Sequence, residues 1–391
     1  MPSLFQQAIT GMNLSTLGRF LWRNGAQLHW RYLHRAAYLL VAACWNSYLS
    51  LFEKAINGEK IASAELTAPP IFILGYFRSG TTHLHNLLSC DPSFTCPTAY
   101  QVMFPHHFVY SQPWGTKMFN YLTPGKRPMD NIVYYATSPD EDEKAVAALS
   151  GVSPFFRVLL PATADDGYAA LDPGQLAPEA LASWQEALRL FIKKLSFSKN
   201  KRIVLKSPLH LGRIPLLLKM FPGAKFIHIT RNPYVVYLSF HKNWRCGHAL
   251  SHLQKPDPRA IDELILSWYT DLFALFERDR ELIPPGDLCE IRFEDLEKFP
   301  RDCLERLYRK LRLPDFERFW QHASVYLDSI ADYQKNIYTL TEEVRVKVSQ
   351  RWRFFFERYG YSLLPPLKLN ATIKLGKGTG MEGNPSGLNE T

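Results

Sequence analysis

Gly75-Tyr76-Phe77-Arg78-Ser79-Gly80-Thr81-Thr82 is the stretch whose residue types and spacing point most directly to chemistry. It follows an apolar run, Ile71 to Leu74, and opens a helical pattern, Thr81 to Ser89. Two glycines five apart let the backbone curl so that its N–H groups point inward. The helix N-terminus adds partial positive charge, so the turn is built to hold a phosphate. The frame matches GxxxxGK[ST] at every position but one: Thr81 stands where nucleoside triphosphatases carry the lysine that grips the β- and γ-phosphates. That argues against ATP or GTP hydrolysis. Arg78 supplies a cation three residues earlier instead.

A second anion-binding signal lies about 150 residues on. Arg231-Asn232-Pro233 follows the apolar run Lys225 to Thr230, and Pro233 suits the first turn of a helix. Ser239 sits on that helix, eight residues after Arg231. An arginine at a strand end and a helix hydroxyl can fork one phosphate. Between the two signals, Lys206 closes the run Arg202 to Leu205 and precedes Ser207-Pro208-Leu209-His210. The acidic run Ser138-Pro139-Asp140-Glu141-Asp142-Glu143 reads as a capping box, with Ser138 as N-cap, Pro139 at the first position and Glu141 three residues after the serine.

PIFILGYFRSGTTHLHNLL resembles the 5′-phosphosulfate loop of sulfotransferases that use 3′-phosphoadenylyl sulfate (PAPS), in the bacterial-type branch carrying RSGTT. The resemblance extends from Pro70 to about Tyr361. It implies that Arg78 contacts the 5′-phosphate or sulfuryl oxygens, and that Ser79, Gly80, Thr81 and Thr82 supply backbone and hydroxyl donors. It implies that Arg231 and Ser239 hold the 3′-phosphate, and that Lys206 neutralises charge on the leaving diphosphate. Phe293, in Ile291-Arg292-Phe293-Glu294-Asp295-Leu296, takes the place of the family's adenine-side tyrosine. Lys335 is a further 3′-phosphate candidate. PAPS is then the co-substrate, and no metal is required. Sulfuryl transfer also needs a base for the acceptor hydroxyl. The family's histidine position is occupied by Pro208, and the glutamate that follows the RSGTT helix in protein-tyrosine sulfotransferases has no counterpart in Cys96 to Tyr100. The acidic run is similar to an SPxEDE element of the lipid-quinol branch. Glu141 or Glu143 is the expected base, with His210 as second choice and helix capping as the competing role.

The elements that must position these residues alternate strand and helix. Ile71 to Leu74, Arg202 to Leu205, Lys225 to Thr230 and Leu288 to Phe293 read as buried parallel strands. Helical patterns fill the gaps: Pro178 to Leu195, Pro233 to Asn243, Ala260 to Leu282, Arg301 to Leu311 and Glu342 to Tyr359. The expected fold is an α/β, P-loop-like three-layer core with a mostly parallel central sheet flanked by helices, plus an N-terminal helical region. The expected division is residues 1–68 as N-terminal helices, 69–365 as the sulfotransferase domain and 366–391 as a flexible tail.

The acceptor is expected to be hydrophobic: an alcohol, phenol, quinol or sterol-like hydroxyl. Phe94 to Tyr135 holds ten aromatics and reads as a pocket wall. Ala36 to Phe52 is the most apolar stretch, short for a bilayer span. With Arg31, His34 and Arg35 at its start, it reads either as a packing helix or as one resting on a membrane or beside a greasy entrance. The net charge of +9 favours an anionic partner, but the basic residues are scattered and form no compact nucleic-acid patch. Six cysteines without metal spacing fit a reduced, cytoplasmic chain, and residues 1–22 lack a signal-peptide pattern. The alternatives are a P-loop nucleotide kinase or a nucleotide-binding module without sulfuryl transfer.

Overall fold

Short runs of apolar residues become the strands of a five-stranded parallel sheet. In the computed structural model, which describes residues 10–123, 125, 132–160, 171–246, 251–255, 257–365 and 373–375, these are β1 (Ile71–Leu74), β2 (Phe94–Thr95), β3 (Arg202–Lys206), β4 (Lys225–Thr230) and β5 (Leu288–Arg292). Their order is β2-β3-β1-β4-β5. The register sets Ile73 beside Lys206 and beside Ile227. Central β1 is buried at every position. Phe72 and Leu74 join one apolar cluster, and Ile71 and Ile73 join another on the opposite face. Both faces are therefore covered, as a parallel sheet requires, and the three-layer expectation holds.

Helices α1 (Leu14–Asn24) and α2 (Leu33–Ala62) form the N-terminal region. Within the core, α3 (Thr81–Ser89) follows β1, α4 (Ala99–Met103) and α5 (Phe108–Leu122) follow β2, and α6 (Asp142–Ser150) leads toward β3. α1 and α2 share a third apolar cluster with Ala147 and Ala148 of α6. Asn46 of α2 is buried and donates to the carbonyls of Thr10 (2.7 Å) and Met12 (2.8 Å). Glu53 and Lys194 form a buried ion pair that fastens α2 to the Pro178–Ser198 helix.

Four details differ from the sequence reading. β2 is a two-residue strand, too short to carry a pattern. Phe293 begins a helix, Phe293–Lys298, rather than ending β5. The segment Glu342 to Tyr359 breaks at Trp352, whose indole stacks on Tyr269 at 3.7 Å and donates to the Leu266 carbonyl at 3.1 Å. Within the stretch read as a tail, Ile373–Leu375 forms β7 and pairs antiparallel with β6 (Tyr338–Leu340). The rest of that stretch lies outside the described residues.

Candidate active site

The C-terminal ends of parallel strands are where an open α/β sheet presents its loops to ligands. β1 delivers the turn Gly75–Gly80 there, β4 delivers Arg231, and β3 delivers Lys206. Gly80 has φ +98°, and a Cβ on it would lie 2.1 Å from the Phe293 ring, so only glycine fits. Arg78 is held at φ +68°, a conformation rare outside glycine. Local strain of this kind collects at functional sites. Here it turns the Arg78 carbonyl toward Arg231, which donates to it at 3.2 Å. Gly80 precedes α3, whose first-turn amides have no carbonyl partner inside the helix. Thr81 is buried and Thr82 half-buried at that terminus.

Arg78 Nε donates to Ser239 Oγ at 2.9 Å. Tyr338 of β6 donates to the same oxygen at 2.9 Å. Arg231 lies over the Phe293 ring, 4.2 Å from its centroid. The two predicted phosphate motifs thus meet, although 161 residues separate Arg78 from Ser239. Burial pulls the Arg231 guanidinium below its ordinary pKa, Glu294 opposes that, and the Arg78 charge adds to it. Two cations crowded at a helix N-terminus are a site that an anion would relieve, so the residues present fit a bound diphosphate nucleotide.

Ser79 takes a different part from the one expected. It is buried, and its N–H (3.2 Å) and hydroxyl (2.7 Å) both donate to the Tyr76 carbonyl. It braces the turn rather than facing a ligand. Lys335 pairs with Glu297 at 2.5 Å on the partly exposed rim. His83 stands close by, edge-on to Phe293 and beside Tyr326, and burial lowers its pKa to about 4. Tyr338 and His83 carried no motif of their own; His83 is adjacent to RSGTT, which was the available signal.

The acidic run sits at the third strand end. Its four carboxylates each engage a different basic group. Asp140 pairs with Lys144 (2.7 Å), Glu141 with Lys206 (2.6 Å), Asp142 with His210 (2.9 Å), and Glu143 with Arg213. The capping-box expectation is overturned. α6 starts at Asp142 with Glu141 as its N-cap residue, and Ser138 Oγ accepts from the Tyr135 N–H instead. Glu143 is fully buried and also receives the Ser153 hydroxyl, so it has no path to a substrate. His210 is likewise fully buried, held by Asp142 and edge-on to Phe72. Glu141 is the member with exposed surface, 18 %, while Lys206 is 2 % exposed. Asp142 also accepts the Lys206 backbone N–H at 3.0 Å, which fixes the end of β3. Burial alone would raise Asp140, but Lys144 and Lys206 outweigh it and hold that carboxyl at about 2. His85, behind Lys206, is lowered to about 3 by burial and by that cation, so it stays neutral.

The aromatic segment expected as a pocket wall divides between core and surface. Tyr100, Phe108, Phe119 and Tyr134 are buried, whereas Trp114, Tyr121 and Tyr135 are exposed.

Residues 69–318 match the model of the sulfotransferase family. The chain belongs to that family. It is 37 % identical over 356 residues, 91 % of this chain and 92 % of the relative, to the omega-hydroxy-beta-dihydromenaquinone-9 sulfotransferase Stf3 of Mycobacterium bovis, and equally to that of Mycobacterium tuberculosis. The fold of this sulfotransferase is shared with solved structures. Sulfotransferase STF1 of Mycobacterium tuberculosis superposes with TM-score 0.60 at 20 % identity, covering 85 % of this chain and 88 % of that one. STF9 of Mycobacterium avium gives 0.61 at 20 %, covering 81 % and 82 %. The family takes its sulfate from PAPS, and the kinase and binding-module alternatives are set aside.

Proposed function

We propose that this sulfotransferase transfers the sulfuryl group of PAPS to the hydroxyl of a hydrophobic, quinol-like lipid, with Glu141 as the base. The convergence of Arg78, Arg231 and Ser239 at one sheet end, with the Lys206–Glu141 pair at the neighbouring strand end, carries this reading. The substrate named for the mycobacterial relative, a dihydromenaquinone derivative, supports the acceptor class.

PAPS, when bound, supplies the sulfuryl group that passes to the acceptor oxygen. Arg231, the Ser239 hydroxyl and the rim residue Lys335 would hold its 3′-phosphate, with Phe293 and His83 on the nucleotide side. Arg78 and the amides at Gly80, Thr81 and Thr82 would hold the 5′ end. Lys206 keeps a positive charge at the end of β3, where charge develops on the leaving oxygen. In a loose transition state, positioning and such charge stabilisation provide most of the rate. Glu141 Oε accepts the acceptor proton, and Lys206 beside it holds the carboxylate in place. Three cations take the role that a metal fills in many phosphoryl-transfer enzymes, so no metal is required. The described cysteines Cys44, Cys90, Cys96, Cys289 and Cys303 are all free, which supports a reducing, cytoplasmic setting.

The test is incubation with PAPS and a reduced menaquinone carrying a terminal hydroxyl, followed by mass spectrometry. A product heavier by one sulfuryl group is expected. Sulfation confined to polar sugars or peptides would refute the acceptor class.

A further inference from the structure

Helix α2 is apolar on two opposite sides. Leu39, Ala43 and Leu49 pack inward. On the other side Leu33, Leu40, Val41, Trp45, Tyr48 and Leu51 are all exposed, Val41 at 70 % and Leu51 at 66 %. At 100° per residue they fall on one side of the helix and make one stripe, extended by Ile56, about 35 Å long at 1.5 Å per residue. The stripe continues beyond the helix. Trp45, Tyr48 and Phe52 form a chain of ring contacts (5.8 and 5.0 Å), and Phe52 stacks on Tyr110 of α5 at 5.8 Å. Trp114, Met118 and Tyr121 recur along α5 at helical spacing from Tyr110, so they share its side, and all three are exposed. Soluble monomers rarely leave so large an apolar surface uncovered.

Positive charge predominates at the N-terminal end of this surface, and Glu59, exposed one turn beyond Ile56, is its carboxylate. Residues 1–52 contain Arg19, Arg23, Arg31 and Arg35 and no aspartate or glutamate. α5 carries Lys117 and no carboxylate. Glu53, the first acid of α2, is turned inward onto Lys194. Among the described residues no helix is long and apolar enough to cross a membrane.

We infer that this face docks on an anionic lipid surface, with α2 lying along the headgroup boundary. Tryptophan and tyrosine, apolar rings with a polar atom, suit that boundary, and the exposed Arg19 and Arg31 meet the lipid phosphates. A second copy of the chain fits less well. A two-fold contact along α2 would offer the arginines of each copy only Glu59 as a carboxylate partner. The face is fastened to the acidic segment, since Asn120 of α5 accepts the Ala136 N–H at 2.7 Å, four residues before Asp140. Docking would hold the Glu141 side of the site near a lipid acceptor, yet the inference stands whichever hydroxyl accepts the sulfuryl group.

Flotation of the full chain with phosphatidylglycerol/phosphatidylcholine vesicles tests it. The wild type is expected to float, and to detach at 0.5 M salt by several-fold. The triple variant Val41→Glu/Trp45→Glu/Tyr48→Glu is expected to lose at least about tenfold in vesicle affinity, with circular dichroism and nucleotide binding unchanged. The milder Leu51→Gln should lose part of the affinity, which covers the case of a misfolded triple variant. Failure of the wild type to float overturns the inference, as do variants that float equally well. So does a wild-type dimer that the triple variant splits into monomers, because the face would then be a subunit contact. Sulfation of a detergent-dispersed acceptor reports on the reaction separately.

Discussion

The Lys206 ammonium and the Glu141 carboxylate meet at 2.6 Å although 65 residues separate them in sequence. Lys206 ends β3 and Glu141 precedes α6, so the pair joins the strand end to the acidic segment. Of the four acids in that segment, Glu141 combines solvent access with a contact to the cation at the end of β3. Glu141→Gln is therefore expected to lower turnover by about 10²–10⁴-fold, the usual contribution of a general base, while affinity for 3′-phosphoadenosine-5′-phosphate stays near wild type. A variant with unimpaired turnover would move the base elsewhere.

In the proposed reading Arg78 and Arg231 hold one anion between them. Each alanine variant should weaken nucleotide binding by about 10–100-fold, the effect of losing a charge-assisted hydrogen bond. Arg231→Lys should recover little, because an ammonium cannot both reach the Arg78 carbonyl and fork a phosphate. Isothermal titration measures both. Chelation of divalent ions should leave transfer rates intact; loss of activity in EDTA would contradict a purely cationic site.

Gly80 faces the Phe293 ring with no room for a methyl group. Gly80→Ala adds a clash to a left-handed backbone that costs about 1–2 kcal/mol for other residues. Nucleotide affinity should fall about tenfold or more. Adding Phe293→Leu should restore part of it, by relieving the clash but not the backbone term. Full recovery would show that the turn tolerates a side chain at φ +98°.

Glu143 and Arg213 form a fully buried pair, with Arg213 also over the Trp184 ring. Removing one partner strands a charge in the core. Glu143→Gln or Arg213→Met should each cost about 3–5 kcal/mol of stability, and the double variant less than their sum. Urea unfolding measures this. Strict additivity would mean that the two groups do not act as a pair.

Burial lowers His83, His106 and His252 to about 4 and His85 and His107 to about 3. The unfolded chain binds these protons near pH 6.5 and the folded chain does not. Stability is then fully present above pH 6.5 and is lost as pH falls from there toward 4 and 3. Asp140, held at about 2, adds loss only below about pH 4. The urea midpoint should decline steadily from pH 7 to pH 4.5; a flat profile would show that these histidines protonate in the folded state.

The strands, and the meeting of the two motifs read as phosphate-binding, were legible because each rests on local chemistry: a buried apolar run, a glycine at a turn, a proline at a helix start. What the sequence concealed depends on distant partners. Ser138 and Glu141 have capping-box spacing, yet Lys206, His210 and Arg213 claim the acids and shift the helix start to Asp142. Tyr338 reaches Ser239 only because β6 packs against the Pro233–Cys246 helix. Trp352 breaks a continuous helical pattern through its contact with Tyr269. The outward stripe of α2 has the same residue types as its inward side, so composition alone could not tell which was covered.

Because Asp140, Glu141, Asp142 and Glu143 are consecutive and each answers to a different base, this segment works like a key with four teeth. Adding or deleting one residue within it would move the acids on one side of the change off their partners, putting a buried carboxylate opposite no cation. An acid and its cation can therefore be exchanged together in this chain at far less cost than a change of length between Asp140 and Glu143.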